Sequence, residues 1–210
     1  MILTLPDALS LAAACAPAVA PETLLSIVKV ESGFNSLAIG VNGRARRTVK
    51  ATSPQDAAAK ASALIAAGES IDLGLAQINS RNLRPLRLSV ADAFDPCRNL
   101  AASAQLLTAD FGRSGAQTHG AQTALRTTLS YYNTGDPTRG HRNGYVGKVA
   151  AAAAHIVPAL QSLEAPSASA PAAPSPPQAQ AATPVADWDV FGRAAPATFV
   201  IRISAPGDRP

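Results

Sequence analysis

The sequence is poor in several of the residues that common functions depend on. Aromatic residues fill only 4% of its 210 positions. No Arg/Lys-rich helix alternates with stacking side chains, so no nucleic-acid partner is expected. Three His, two Cys and no C-x-x-C pair make no recognisable zinc ligand set, and neither a metal nor another cofactor is expected. No apolar run reaches the length that a bilayer requires, so no transmembrane segment is expected. No Lys or Arg precedes Lys29, and Pro6 and Asp7 stand where a signal peptide would carry its basic start. Residues 1–20 are therefore read as the first helix of a mature domain. The alternative is a cleaved signal, since "ALSLAAACAPAVA" (8–20) is apolar and ends in a small-residue pattern like a cleavage site. A formal charge of +4 suits an anionic polymer without identifying one.

Composition divides what remains. From Ala165 to Val185 the chain reads "APSASAPAAPSPPQAQAATPV", with no charge and almost no large apolar side chain. Such a segment cannot bury enough surface to offset its ordering entropy. The expected organisation is a domain over 1–164, a flexible linker over 165–186 and a tail over 187–210. The tail holds Trp188 and "TFVIRIS", whose alternation is strand-like but too short to fold alone. It is either a disordered end or a peptide that docks on a partner.

Within 1–164 the helix punctuation is clear. Pro21-Glu22 opens a helix that Gly33 closes, Ser53-Pro54 opens one that Gly68 ends, and Asp95-Pro96 opens one running to Gly112. Leu125, Leu129 and Tyr132 share one helical face, as do Tyr145, Val149, Ala152, Ile156 and Leu160. Between the first two helices, Asn42-Gly43 separates short β-favouring pieces and predicts a hairpin. The basic stretch "RARRTVK" (44–50) then reads as the hairpin's solvated edge, the alternative being a patch that meets acidic polymers or carboxylates. His141 reads as a surface residue, the alternative being a contact to substrate. The expected fold class is mainly α, with a small β element.

One residue stands out against this frame. Glu31 ends the apolar run "LLSIVKV", at the helix pole where a carboxylate is least favoured. Apolar neighbours would also strip its water, and both effects raise a carboxyl pKa. A proton held near neutrality makes a general acid suited to a glycosidic oxygen. The bland alternative is a solvated Glu that caps nothing. Two further stretches, "DLGLAQINSRN" (72–82) and "SYYNTG" (130–135), offer amides and phenols of the kind that bind sugar hydroxyls.

The order Glu-Ser after an apolar helix, then Gly-Leu-x-Gln-Ile, then Tyr-Asn-x-Gly resembles the lytic transglycosylases of the lysozyme superfamily. "APETLLSIVKVESGFNSLAIGVNG", "GLAQINSRNL" and "FDPCRNL" are similar to the VirB1-type enzymes of type IV secretion and conjugation systems. The resemblance covers residues 12 to 157. It implies an α+β lysozyme-like fold and cleavage of the β-1,4 bond between N-acetylmuramic acid and N-acetylglucosamine in peptidoglycan. Glu31 would be acid and then base. Ser32 would support the turn behind it, and Gln77, Asn79, Tyr132 and Asn133 would bind or position substrate. The expected product is a 1,6-anhydro sugar, and the partners are glycan strands and subunits of a secretion channel. The pattern is broken at Ala76, where Met is usual, and at Tyr131, where Ala is usual; both touch groove shape. The alternatives are a hydrolytic lysozyme using Asp72 as second carboxylate, and a non-catalytic glycan-binding scaffold. The resemblance also implies a periplasmic or cell-envelope location. There Cys15 and Cys97, otherwise readable as two unrelated buried thiols, would pair as a disulfide.

Overall fold

A computed structural model describes residues 1–43 and 46–164. The linker and tail expected beyond residue 164, and Arg44 of the basic stretch, lie outside the described residues.

The helices begin where the punctuation sets them. Helix α1 (Leu5–Cys15) is capped by Thr4, whose hydroxyl accepts from the Asp7 amide at 3.3 Å, with Pro6 in the first turn. Helix α2 (Pro21–Glu31) starts on Pro21. Ser53 caps α3 (Pro54–Ala66) through the Asp56 amide at 3.1 Å, and Asp95 caps α4 (Pro96–Gly112) through the Arg98 amide at 2.8 Å. Each cap satisfies a backbone donor that would otherwise lack a partner. After the short α5 (Ala116–His119), α6 (Ala121–Thr134) ends on Gly135 at φ +69°, and α7 (Arg139–Arg142) leads into α8 (Tyr145–Glu164). Short α5 and α7 were not expected from sequence, because a single turn has no periodicity to read.

The β element is larger than the expected hairpin. Strands β1 (Ile39–Val41) and β2 (Arg47–Val49) form that hairpin, and β3 (Ile71–Leu73) and β4 (Ile78–Asn79) extend it. All neighbours are antiparallel in the order β2-β1-β3-β4, with Ile39 opposite Val49 and Leu73, and Asp72 opposite Asn79. The fold is mainly α with this small sheet.

The core runs between the helices and under the sheet. Leu24, Leu25, Ile27 and Val28 of α2 are fully buried against α8, whose Tyr145, Val146, Val149, Ala153, Ile156 and Leu160 form the facing stripe. By length and composition Tyr145–Leu163 is apolar enough to cross a membrane, which corrects the expectation that no such run exists. Its buried stripe makes it the core helix on which α2 lies. Cys15 and Cys97 form a disulfide with Cα atoms 5.3 Å apart, tying the end of α1 to the first turn of α4.

Candidate active site

An open groove runs along the junction of sheet and helices. It has two sections, of about 710 and 590 Å³, which share Glu31, Asn42, Arg46, Asp72, Gln77 and Asn133. Either section alone matches a small-molecule site; joined, they suit a chain of rings rather than one.

Glu31 is delivered by the last residue of α2. Behind it Ser32 caps the helix, its amide and hydroxyl both donating to the Val28 carbonyl, at 3.0 and 3.3 Å. The chain then turns sharply through Gly33 and Phe34, at φ +59° and +68°. Glu31 is partly buried. The Tyr145 hydroxyl, brought over by the first turn of α8, donates to its Oε1 at 2.6 Å. Loss of water on burial is the leading influence and raises the carboxyl pKa from 4.5 to about 7. The Tyr145 bond and the Arg46 charge oppose that rise, and the Asp72 charge adds to it. A carboxyl balanced in this way holds its proton near neutral pH and can also release it.

The opposite wall is the turn 74–77 between β3 and β4. Gly74 sits at φ +73°, where a Cβ would meet the Ala93 carbonyl oxygen at 2.2 Å and the Asn99 amide at 2.4 Å. Asn99, fully buried on α4, accepts from the Ala76 amide at 2.8 Å and donates to the carbonyls of Leu73 and Ala93 at 2.9 and 2.8 Å. The Tyr132 hydroxyl donates to the Ala76 carbonyl at 2.8 Å and lies 3.0 Å from the Ser103 hydroxyl. Burial pushes the Tyr132 phenol strongly upward, with Glu31 next in influence, so it stays a neutral donor. The turn thus clamped presents Gln77, itself at φ +50°, with Nε2 donating to the carbonyls of Gly74 and Ala38. Gly40 makes room for it: a Cβ there would stand 2.9 Å from Gln77 Oε1.

Asp72 faces the groove from β3. Its Oδ1 accepts from Asn79 Nδ2 at 2.6 Å and its Oδ2 from Asn42 Nδ2 at 2.8 Å. Asn133, exposed at the end of α6, accepts from Asn143 Nδ2 at 2.8 Å. The groove therefore gathers Glu31, Gln77, Asn79, Tyr132 and Asn133. Ser32 lies behind the acid and lines neither section, and His141 is exposed on α7. Arg46 and Arg47 line the groove, so the basic stretch forms part of its wall as well as the sheet's edge strand.

Two residues escaped the sequence reading. Tyr145 reads as core packing, and it is buried; only its hydroxyl reaches the site. Asn99 carried a signal, an amide among apolar residues on a buried helix face, since such a group must find partners.

The transglycosylase SLT domain model matches residues 8–154. Protein virB1 of Agrobacterium fabrum is 42% identical over 146 residues, covering 70% of this chain and 59% of that protein. Type IV secretion system protein virB1 of Brucella suis is 42% identical over 151 residues, covering 69% of this chain and 63% of that protein. The chain thus spans about three fifths of the length of these relatives. No solved structure matches it. With the domain match extending over well more than half its residues, the chain belongs to the transglycosylase SLT domain family.

Proposed function

We propose that this chain is a peptidoglycan lytic transglycosylase with Glu31 as its single acid and base. The observation that carries the reading is the Glu31 carboxyl on the groove, its pKa lifted to about 7 and its Oε1 held by Tyr145. With Oε1 occupied, Oε2 is the oxygen that carries the transferable proton. In the first step that proton passes to the glycosidic oxygen as the C1–O bond of N-acetylmuramic acid breaks, leaving an oxocarbenium-like sugar. The sugar's own 6-hydroxyl oxygen then bonds to C1, and its proton returns to the Glu31 carboxylate. One C–O bond has broken and one has formed, no water is consumed, and Glu31 ends as it began. Gln77, Asn79 and Asn133 supply amide contacts along the strand. Tyr132 holds the turn that carries Gln77.

Similarity to virB1 proteins, those of Brucella being named type IV secretion system proteins, supports a role in local wall opening for a secretion or conjugation channel. The Cys15–Cys97 disulfide supports an oxidising compartment, which for a wall enzyme is the periplasm. A second reading, a hydrolytic lysozyme, draws on Asp72, which shares the groove with Glu31. One experiment separates the readings. Wild type and Glu31→Gln are compared on peptidoglycan zymograms, and the soluble products are weighed. Anhydro products from wild type and none from the variant are expected; products one water heavier would establish hydrolysis. Clearing by Glu31→Gln would overturn the role given to Glu31.

A further inference from the structure

We infer that the end of the groove bounded by α4 and Gly135 is a binding subsite for a carboxylate on the substrate, with Arg113 as its principal donor. This rests on the glycan-strand reading above, because the acidic peptide borne by muramic acid is the substituent that would supply the carboxylate. Arg113 follows the last turn of α4 and lines the groove together with Tyr131, Asp110 and Arg81. Its guanidinium lies over the Tyr131 ring at 4.0 Å from the centroid, and one of its nitrogens bonds Asp110 Oδ1 at 2.6 Å. Stacking occupies the face of the guanidinium and leaves its edge, where the N–H groups lie, for oxygen acceptors.

Asp110 is what marks this as a built site rather than a surface ion pair. Its side chain is only 11% exposed while that of Arg113 is 53% exposed. The carboxylate is thus sequestered under the arginine, fixing it, and the arginine faces the groove. Burial raises the Asp110 pKa and Arg113 opposes that rise, as expected of a desolvated acid held by one cation. Arg81, on the β4 side, lines the same section and has no acidic partner among the described residues. Two cations lining one section of the groove, one of them pre-ordered by stacking, match an acidic peptide extending from a sugar in the groove.

The test uses the full chain and two tetrasaccharides of alternating N-acetylglucosamine and N-acetylmuramic acid. One carries acidic tetrapeptides; the other carries the same peptides with their carboxylates amidated. Calorimetry on the chain carrying Glu31→Gln, so that nothing is cleaved and the subsite is otherwise wild type, should show the acidic oligomer binding about tenfold more tightly, the worth of one charged hydrogen-bonded contact. With Arg113→Gln added that ratio should fall to about one, and with Tyr131→Ala added, which leaves the arginine unordered, it should fall by about threefold. Arg113→Lys should retain part of it. A ratio near one with Arg113 in place, or a ratio that Arg113→Gln leaves unchanged, overturns the subsite. Loss of affinity for both oligomers in equal proportion also overturns it, since the role of Arg113 would then be structural. Because binding is read in the Glu31→Gln background, failure of the transglycosylase reading shows separately, as binding there with no anhydro products from the chain with Glu31 intact.

Discussion

Glu31→Gln tests the acid without reference to any substrate. The amide keeps the shape and an oxygen for Tyr145 to donate to, and it cannot ionise. In wild type the carboxyl pKa is 4.5 when the chain is unfolded and about 7 when it is folded. Between those values the folded chain binds a proton that the unfolded chain has released, so raising the pH destabilises the fold. The gap, at roughly 1.36 kcal/mol per unit, amounts to about 3 kcal/mol. Below pH 4.5 the penalty is absent; it grows towards pH 7 and is complete above that. Asp56, Asp92 and Asp136, held below their ordinary range by hydrogen bonds, and Asp110, raised by burial, titrate in both proteins alike. They cancel when the two are compared. Urea unfolding of both proteins at pH 4, 5.5, 7 and 8 should therefore show the variant gaining on wild type by about 3 kcal/mol across the series. A difference that stays flat with pH would mean that the carboxyl ionises freely, and the acid assignment would lose its physical basis.

Tyr145→Phe removes the donor that favours ionised Glu31. The basic limb of the pH–rate profile should move upward and kcat fall about tenfold as the carboxyl loses its fixed geometry; an unmoved limb would show that the hydroxyl does not act through Glu31. Cys97→Ser opens a link across a sequence separation of 82 residues and should cost about 2–4 kcal/mol in urea. A loss well below 1 kcal/mol would show that the α1–α4 tie is dispensable. Asn99→Ala leaves the Ala76 amide and the Leu73 and Ala93 carbonyls without their partner. It should cost about 3 kcal/mol, read as a lowered urea midpoint. Any variant that remains folded should bind glycan more weakly, because Gln77 sits on that turn.

The elements that could be read in advance are those whose causes are local. Ser53 and Asp95, each followed by Pro, set the starts of α3 and α4. Asn42-Gly43 set β1 against β2, and an acid at the end of an apolar helix drew attention to Glu31. Strands β3 and β4, of three and two residues, have no periodicity of their own; β3 exists because β1 is beside it. The same limit hides Tyr145, whose hydroxyl finds Glu31 across 114 residues. Tyr132 is an intermediate case. Its place on a packed helix face is legible, but the Ala76 carbonyl that takes its hydroxyl depends on how the turn 74–77 folds. Burial rather than the helix pole proves the leading influence on Glu31, and the extent of burial is a tertiary quantity.

The hydrogen bonds of the groove also bear on which proposed chemistry it suits. A second carboxylate acting as nucleophile must advance an oxygen towards C1, and one acting as base must present an oxygen to water. Both oxygens of Asp72 already accept side-chain amide bonds, from Asn79 and Asn42, and these bonds join β3 to β4 and to the end of β1. Moving either oxygen would loosen the wall that faces Glu31. Gln77 is held in the same way through Nε2, and Tyr132 through its hydroxyl. Glu31 differs from all three. Its Oε1 is fixed by Tyr145, whereas its Oε2 has no hydrogen-bond partner among the described residues. A wall whose polar groups are largely committed to one another, opposite one acid with one free oxygen, suits a reaction in which the substrate brings its own nucleophile, and this weighs towards transglycosylation over hydrolysis.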